Sequence, residues 1–118
     1  MWLGKKNLQF VNQLCLAVSL STASFFALAD AGADAFGKGI KAFKQQNYSQ
    51  ALSAFESARA NGYQQAQLSY NLGVTYYKLG DYFAAETEFK KLLGHPTLSA
   101  IAKYNLALVY NKLNDEEM

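Results

Sequence analysis

The chain is short of nearly every residue that does chemistry. Its 118 residues include one cysteine, one histidine and one proline. Cys15 falls in the N-terminal segment, so residues 30–118 form no disulfide and offer no thiolate to a metal. A lipid on Cys15 is not expected either, because Leu14 and not a small residue precedes it. His95 stands alone in a Gly94-His95-Pro96 turn, with no Ser, Cys or carboxylate at the spacing of a triad or a metal site. Glu86 and Glu88 fall on different faces of any helix that carries them, so they do not act together on one substrate. Gly37-Lys38-Gly39 has no strand before it and is no phosphate loop. These absences argue against an enzyme and against any cofactor, metal or small-molecule substrate.

Charge of one sign is missing as well. Removing Lys5 and Lys6 from the 11 basic residues leaves nine, against nine acidic residues in 30–118. Arg59 is the only arginine, and there is no basic run. The tyrosines therefore lack the cations that a nucleic-acid surface needs, and no nucleic-acid partner is expected. With so little proline and just over half of the residues apolar, a packed, mostly helical domain is expected and a disordered linker is not.

What is present begins with a leader. Met1–Asn7 carries two lysines and no acid, the stretch 14–28 is apolar, and Ala27-Leu28-Ala29 places small residues where a signal peptidase reads them. The apolar stretch is shorter than the roughly 18 strongly apolar residues of a membrane span. Residues 1–29 are expected to be a secretory signal removed before Asp30, leaving a periplasmic or otherwise extracytoplasmic chain. An uncleaved leader, retained as an anchor, is the alternative, and the only route by which a membrane would be a partner.

Residues 30–118 repeat themselves. A shift of 34 aligns Gly39 with Gly73, Tyr48 with Tyr82, Ala51 with Ala85 and Phe55 with Phe89, without a gap. It also carries Phe36 onto Tyr70 and Tyr104, Lys44 onto Lys78 and Lys112, Leu72 onto Leu106, Gly73 onto Ala107 and Tyr76 onto Tyr110. Within each unit the apolar residues recur at helical spacing, broken at Gln46-Asn47 and Gly80-Asp81. The pattern predicts five helices over 33–45, 48–60, 66–79, 82–93 and 99–113. Gly62 and Gly94 are expected to be left-handed caps, with Pro96 preventing continuation. Loops this short force antiparallel hairpins. The units are about 32–65, 66–99 and an incomplete 100–118. Asn114–Glu117 reads as a turn, and Leu106, Val109 and Tyr110 are expected to be left partly uncovered.

Tyr70-Asn71-Leu72-Gly73, followed by Tyr76-Tyr77-Lys78-Leu79-Gly80-Asp81-Tyr82, Ala85 and Phe89, resembles a tetratricopeptide repeat. The first unit matches that pattern at Gly39, Tyr48, Ala51, Phe55 and Ala58, but has Lys38 where the family prefers Leu. The third matches at Leu106, Tyr110 and Ala107. The resemblance implies an all-α fold of antiparallel helix-hairpin repeats, about two and a half of them, forming an α-solenoid. The small residues Gly39, Gly73 and Ala107 are then expected to face Ala51 and Ala85 where hairpin helices cross. Phe55 and Phe89 are expected to fill the space between units, and Tyr48 and Tyr82 to wedge the second helices against the first.

The resemblance further implies a partner-binding groove on the first helix of each unit. It assigns Phe36, Gly37, Ile40, Phe43 and Lys44 in unit one, and Gln67, Tyr70, Asn71, Val74, Tyr77 and Lys78 in unit two. In unit three it assigns Ile101, Tyr104, Asn105, Leu108, Asn111 and Lys112. Asn71 and Asn105 would form an amide track able to pair with a peptide backbone as both donor and acceptor, or would simply face water. Relatives that grip a C-terminal carboxylate use Lys, Asn and Arg. Here Phe36 and Ile40 fill two of those places, Ile101 replaces a Lys and Asn105 an Arg, so an apolar or aromatic peptide or helix is expected instead. The lysine row is either a contact for an acidic neighbour or a solvated edge. The function implied is a non-catalytic protein-binding scaffold in the cell envelope. The alternative is the N-terminal repeat arm of a larger envelope assembly or outer-membrane export protein.

Overall fold

The structure, a computed structural model, describes residue 27 and residues 30–117. The leader and its cleavage after Ala29 lie outside the described residues. Helix α1 covers 30–44, α2 Tyr48–Ala60, α3 Ala66–Leu79, α4 Tyr82–Lys90 and α5 Ser99–Glu117. Among the described residues there is no strand, and no helix is long and apolar enough to cross a membrane.

Side-chain pairings fix the direction of each hairpin. Phe43 meets Tyr48 near the first turn, while Gly39 lies against Phe55 farther from it. In the second hairpin Tyr77 meets Tyr82 and Gly73 lies against Phe89. Residues that approach each other thus lie ever farther from the turn on both sides, which is antiparallel packing.

The turns themselves follow from backbone sterics. Gly62 and Gly80 take φ of +81° and +84°, and the amides after them, Tyr63 and Asp81, bond back to Ala58 and Tyr76 at 3.0 Å. This left-handed cap satisfies carbonyls that the helix end would leave unpaired. In unit one the same cap is made by Gln46, which stands where Gly80 stands one repeat later. Gln46 has φ +62°, and Asn47 bonds back to Ala42. A side chain in this region costs about 1 kcal/mol relative to glycine. Asp81 then caps α4 by accepting from the Ala84 amide at 3.1 Å.

Three expectations are corrected here. Gly94 is not in the left-handed region. Helix α4 stops at Lys90, not at residue 93, because the Leu92, Leu93 and His95 amides bond three residues back to Phe89, Lys90 and Leu92, tightening the chain into turns. The His95 ring closes that connection by accepting from the Leu98 amide at 3.2 Å and the Thr97 amide at 3.3 Å. Finally, α5 runs through Asn114–Glu117, which form no turn, since nothing there breaks a helix as Gly80 does in unit two.

The apolar residues gather into two equivalent clusters. The first holds Ala35 and Ala42 of α1, Ala51, Phe55 and Ala58 of α2, and Leu68 and Leu72 of α3. The second holds Ala85 and Phe89 of α4 with Leu106 and Val109 of α5, flanked by Tyr70, Val74 and Tyr77 of α3. Each cluster is therefore one hairpin plus the first helix of the next unit, and Tyr76 touches both. Leu106 and Val109 are buried, so the expectation that they would be partly uncovered holds only for Tyr110. Gly39 and Gly73 lie where the two helices of each hairpin approach closely. A Cβ on Gly39 would stand 2.5 Å from the Phe55 ring, and one on Gly73 2.7 Å from the Phe89 ring. They are small because a ring of the partner helix, Phe55 or Phe89, packs directly against them.

Candidate functional site

A first helix can show its neighbours one residue every three or four positions, so residues at i, i+4, i+7 and i+11 form a seam. On α3 that seam is Gln67, Asn71, Val74 and Lys78, and on α5 Ile101, Asn105, Leu108 and Lys112. On α1 it is Ala33, Gly37, Ile40 and Lys44. The aromatic residues Phe36, Phe43, Tyr70, Tyr77 and Tyr104 lie on the adjoining line.

Every residue assigned to the groove retains contact with solvent. Phe36, Ile40, Phe43, Tyr70, Asn71, Val74, Tyr77, Asn105 and Leu108 are half-buried. Gly37, Lys44, Gln67, Lys78, Ile101, Tyr104, Asn111 and Lys112 are exposed. Most of the rings are braced by their own hairpin. Phe36 stacks on Tyr63 at 4.6 Å between centroids, Phe43 meets Tyr48 edge-on at 5.2 Å, and Tyr77 meets Tyr82 edge-on at 5.4 Å. Tyr70 leans on Phe89 at 6.3 Å. Such contacts hold a ring in one rotamer while leaving part of it to a ligand, which lowers the ordering cost of binding. Among the described residues Tyr104 has no such brace, and it is 65% exposed.

Each of the two asparagines has one amide hydrogen engaged by its own helix. Asn71 donates its amide hydrogen to the Gln67 carbonyl at 2.7 Å, and Asn105 does the same to Ile101 at 2.8 Å. Each Oδ1 remains as an acceptor for a peptide N–H. Each Nδ2 also keeps a second hydrogen, so the side chain can pair with a peptide backbone in both directions while bonded to its own helix.

The outer helices α2 and α4 hold three carboxylates, Glu56, Glu86 and Glu88, and each of these has a partner. Glu88, only 4% exposed, receives both guanidinium branches of Arg59 at 2.8 Å and Lys91 at 3.0 Å. Burial pushes its carboxyl up, but the hydrogen bonds from Arg59 and Lys91 outweigh burial and hold it below the usual glutamate range. This charge-assisted fork joins α2 of unit one to α4 of unit two. Tyr76 donates to Glu56 at 2.9 Å; burial first, then that bond, pushes the phenol up to about 12. Glu86 pairs with Lys90 and accepts from Tyr110. Among the described residues no group of His, Cys, Asp and Glu is arranged to hold a metal.

Two exposed features escaped the sequence reading. Phe83, on α4, is 70% exposed, and Leu79 lines a shallow cleft with Gln46–Gln50. The repeat register gave no signal for Phe83, because its counterpart one unit earlier is Ser49. A cleft of about 700 Å³ lies between α1 and α2, lined by Ala31, Ala35, Lys38, Lys41, Ser53 and Ala54 among others.

Successive antiparallel hairpins with shared clusters define a helical-repeat scaffold. A sequence model of the tetratricopeptide repeat family matches residues 36–96, just over half of the chain. The chain belongs to that family, whose repeats serve in general as protein–protein interaction scaffolds. No curated protein and no solved structure matches it.

Proposed function

We propose that residues 30–118 form one repeat domain that follows an export leader and acts, without catalysis, as a scaffold in the cell envelope. It holds a peptide or helix of a partner protein on the face of α1, α3 and α5. The observation that carries this reading is the row of braced, half-exposed aromatic and aliphatic side chains, Phe36, Ile40, Phe43, Tyr70, Val74 and Tyr77, continued by Leu108. A soluble domain does not leave such a row half open on successive units without something to lay against it. Photo-cross-linkers at Val74 and Leu108 test it in the native cell, with one at exposed Thr87 of α4 as control. A defined adduct from the first two positions, absent at Thr87 and abolished by Tyr77→Ala, is the expected result. Equal labelling from all three positions would sink the reading. Export is tested separately by the mass of the mature chain, expected to start at Asp30.

A second reading is supported by one feature of α5. Ala107 and Tyr104, whose counterparts Gly73 and Tyr70 lie against Phe89, are exposed. A face of this kind suits a repeat arm packed against the remainder of a larger envelope or export assembly. If purified complexes place Tyr104 against another domain while Tyr77 stays free, this second reading replaces the first.

A further inference from the structure

The groove face carries a charge asymmetry that the repeat makes regular. Lys44, Lys78 and Lys112 occur one per unit at the same register, all exposed, and among the described residues none makes an ion pair. Helix α3 contains no carboxylate, and α5 has none before Asp115. Asp34 of α1 is engaged with Lys38 at 2.8 Å. The second helices hold Glu56, Glu86 and Glu88, each already bonded to Tyr76, to Lys90 and Tyr110, or to Arg59 and Lys91. The carboxylates of the outer helices are thus engaged within the fold, and beside the apolar seam the three lysines of the row keep no ion-pair partner among the described residues.

Helix-end electrostatics does not account for the row. A cation in the last turn is favoured by the helix dipole, and Lys44 and Lys78 sit there. Lys112 does not: α5 continues to Glu117 and has no basic residue in its last turn. Asp115 and Glu116, within one turn of Lys112, make no ion pair with it. What the three lysines share is their position four residues beyond Ile40, Val74 and Leu108 at the edge of the seam.

We infer that the segment this face receives is a peptide with an apolar or aromatic core bordered by aspartate or glutamate on the side of the lysine row. The inference rests on the reading of the face as a peptide groove. The apolar core seats on the braced rings and aliphatic residues, and the acidic border meets Lys44, Lys78 and Lys112. The lysines contribute orientation and association rate more than raw affinity, because exposed pairs are individually weak and screened by salt.

The test uses the full chain and three synthetic peptides sharing one Phe/Leu/Trp core, flanked by Glu, Gln or Lys, with binding read by fluorescence anisotropy. At low salt the Glu-flanked peptide should bind about tenfold more tightly than the Gln-flanked one, and this preference should shrink to about twofold near 0.3 M salt. A triple Lys44→Gln, Lys78→Gln, Lys112→Gln variant should lose the preference, binding the Glu- and Gln-flanked peptides within about twofold of each other. The triple Lys→Arg variant should keep it. Equal binding of Glu- and Gln-flanked peptides overturns the inference and leaves the groove reading intact. Failure of all three peptides to bind overturns both. Tighter binding of a single-stranded oligonucleotide or of phosphatidylserine vesicles than of the Glu-flanked peptide overturns the choice of a protein partner.

Discussion

On α3, Tyr70 leans on Phe89, Gly73 lies beneath the same ring and Tyr77 meets Tyr82. One repeat later on α5, Tyr104, Ala107 and Asn111 are all exposed. The two helices share a register, and both bury the side that faces the preceding unit: Leu68, Leu72 and Thr75 on α3, Ala102, Leu106 and Val109 on α5. They differ on the side that faces a second helix, because among the described residues only α3 has one folded back on it. The same comparison holds between units. Units one and two are joined by the Arg59–Glu88 fork as well as by apolar packing, whereas among the described residues α5 adds to its packing a single side-chain bond to α4, from Tyr110 to Glu86. A repeat position therefore has no fixed role; the element that covers it assigns one.

The largest effect should separate the two helices outright. Phe89→Ala removes a ring shared by α3, α4 and α5 and should cost about 3–5 kcal/mol in urea unfolding. Tyr104→Ala should stay within about 0.5 kcal/mol. Comparable losses at both would mean that α5 is covered after all.

The fork comes next. Arg59→Met leaves buried Glu88 with Lys91 alone and should destabilise by about 1–3 kcal/mol, a figure lowered by the partial exposure of the arginine. Its pH dependence has a definite sign. The folded carboxyl titrates below its ordinary value of 4.5, so the unfolded chain binds the extra proton in that window and stability rises with pH. The contribution is complete above about 4.5 and is lost as pH falls through the lower folded value. Thermal melts of Glu88→Gln should lack that part of the acid slope.

Gly73→Ala should cost about 1–2 kcal/mol, the overpacking against Phe89 outweighing the gain in helix propensity. Ala107→Leu on the uncovered helix should be close to neutral in the same unfolding assay. Gln46→Gly, converting the strained cap of unit one to the type used by unit two, should stabilise by about 0.5–1 kcal/mol. The smallest signal is spectroscopic: in an alkaline titration Tyr76 should ionise near 12, and Tyr76→Phe should remove that last step.

Much of the architecture was legible in the sequence because its causes are local. The breaks at Gln46-Asn47 and Gly80-Asp81, and the tyrosines that begin α2 and α4, follow from helical period and turn sterics acting over a few residues. The connection 91–98 was misread because its geometry depends on His95 folding its ring back onto the Thr97 and Leu98 amides, which composition does not reveal. The residues proposed for the groove were assigned from the family resemblance; that the Asn71 and Asn105 side chains turn back onto their own helices is a rotamer choice with no sequence signature. Phe83 was overlooked because exposure on an outer helix breaks no periodic rule.

The sequence by itself determined the period, the helix-hairpin units and the small residues at 39 and 73, since these are consequences of spacing and backbone geometry. Only the tertiary structure decided that the small positions seat Phe55 and Phe89, that Glu88 is clamped by Arg59 from the neighbouring unit, and that Ala107 and Tyr104 lie uncovered. The physical reason is that burial and charge pairing depend on the neighbouring element, which a one-dimensional register orders but does not place in space.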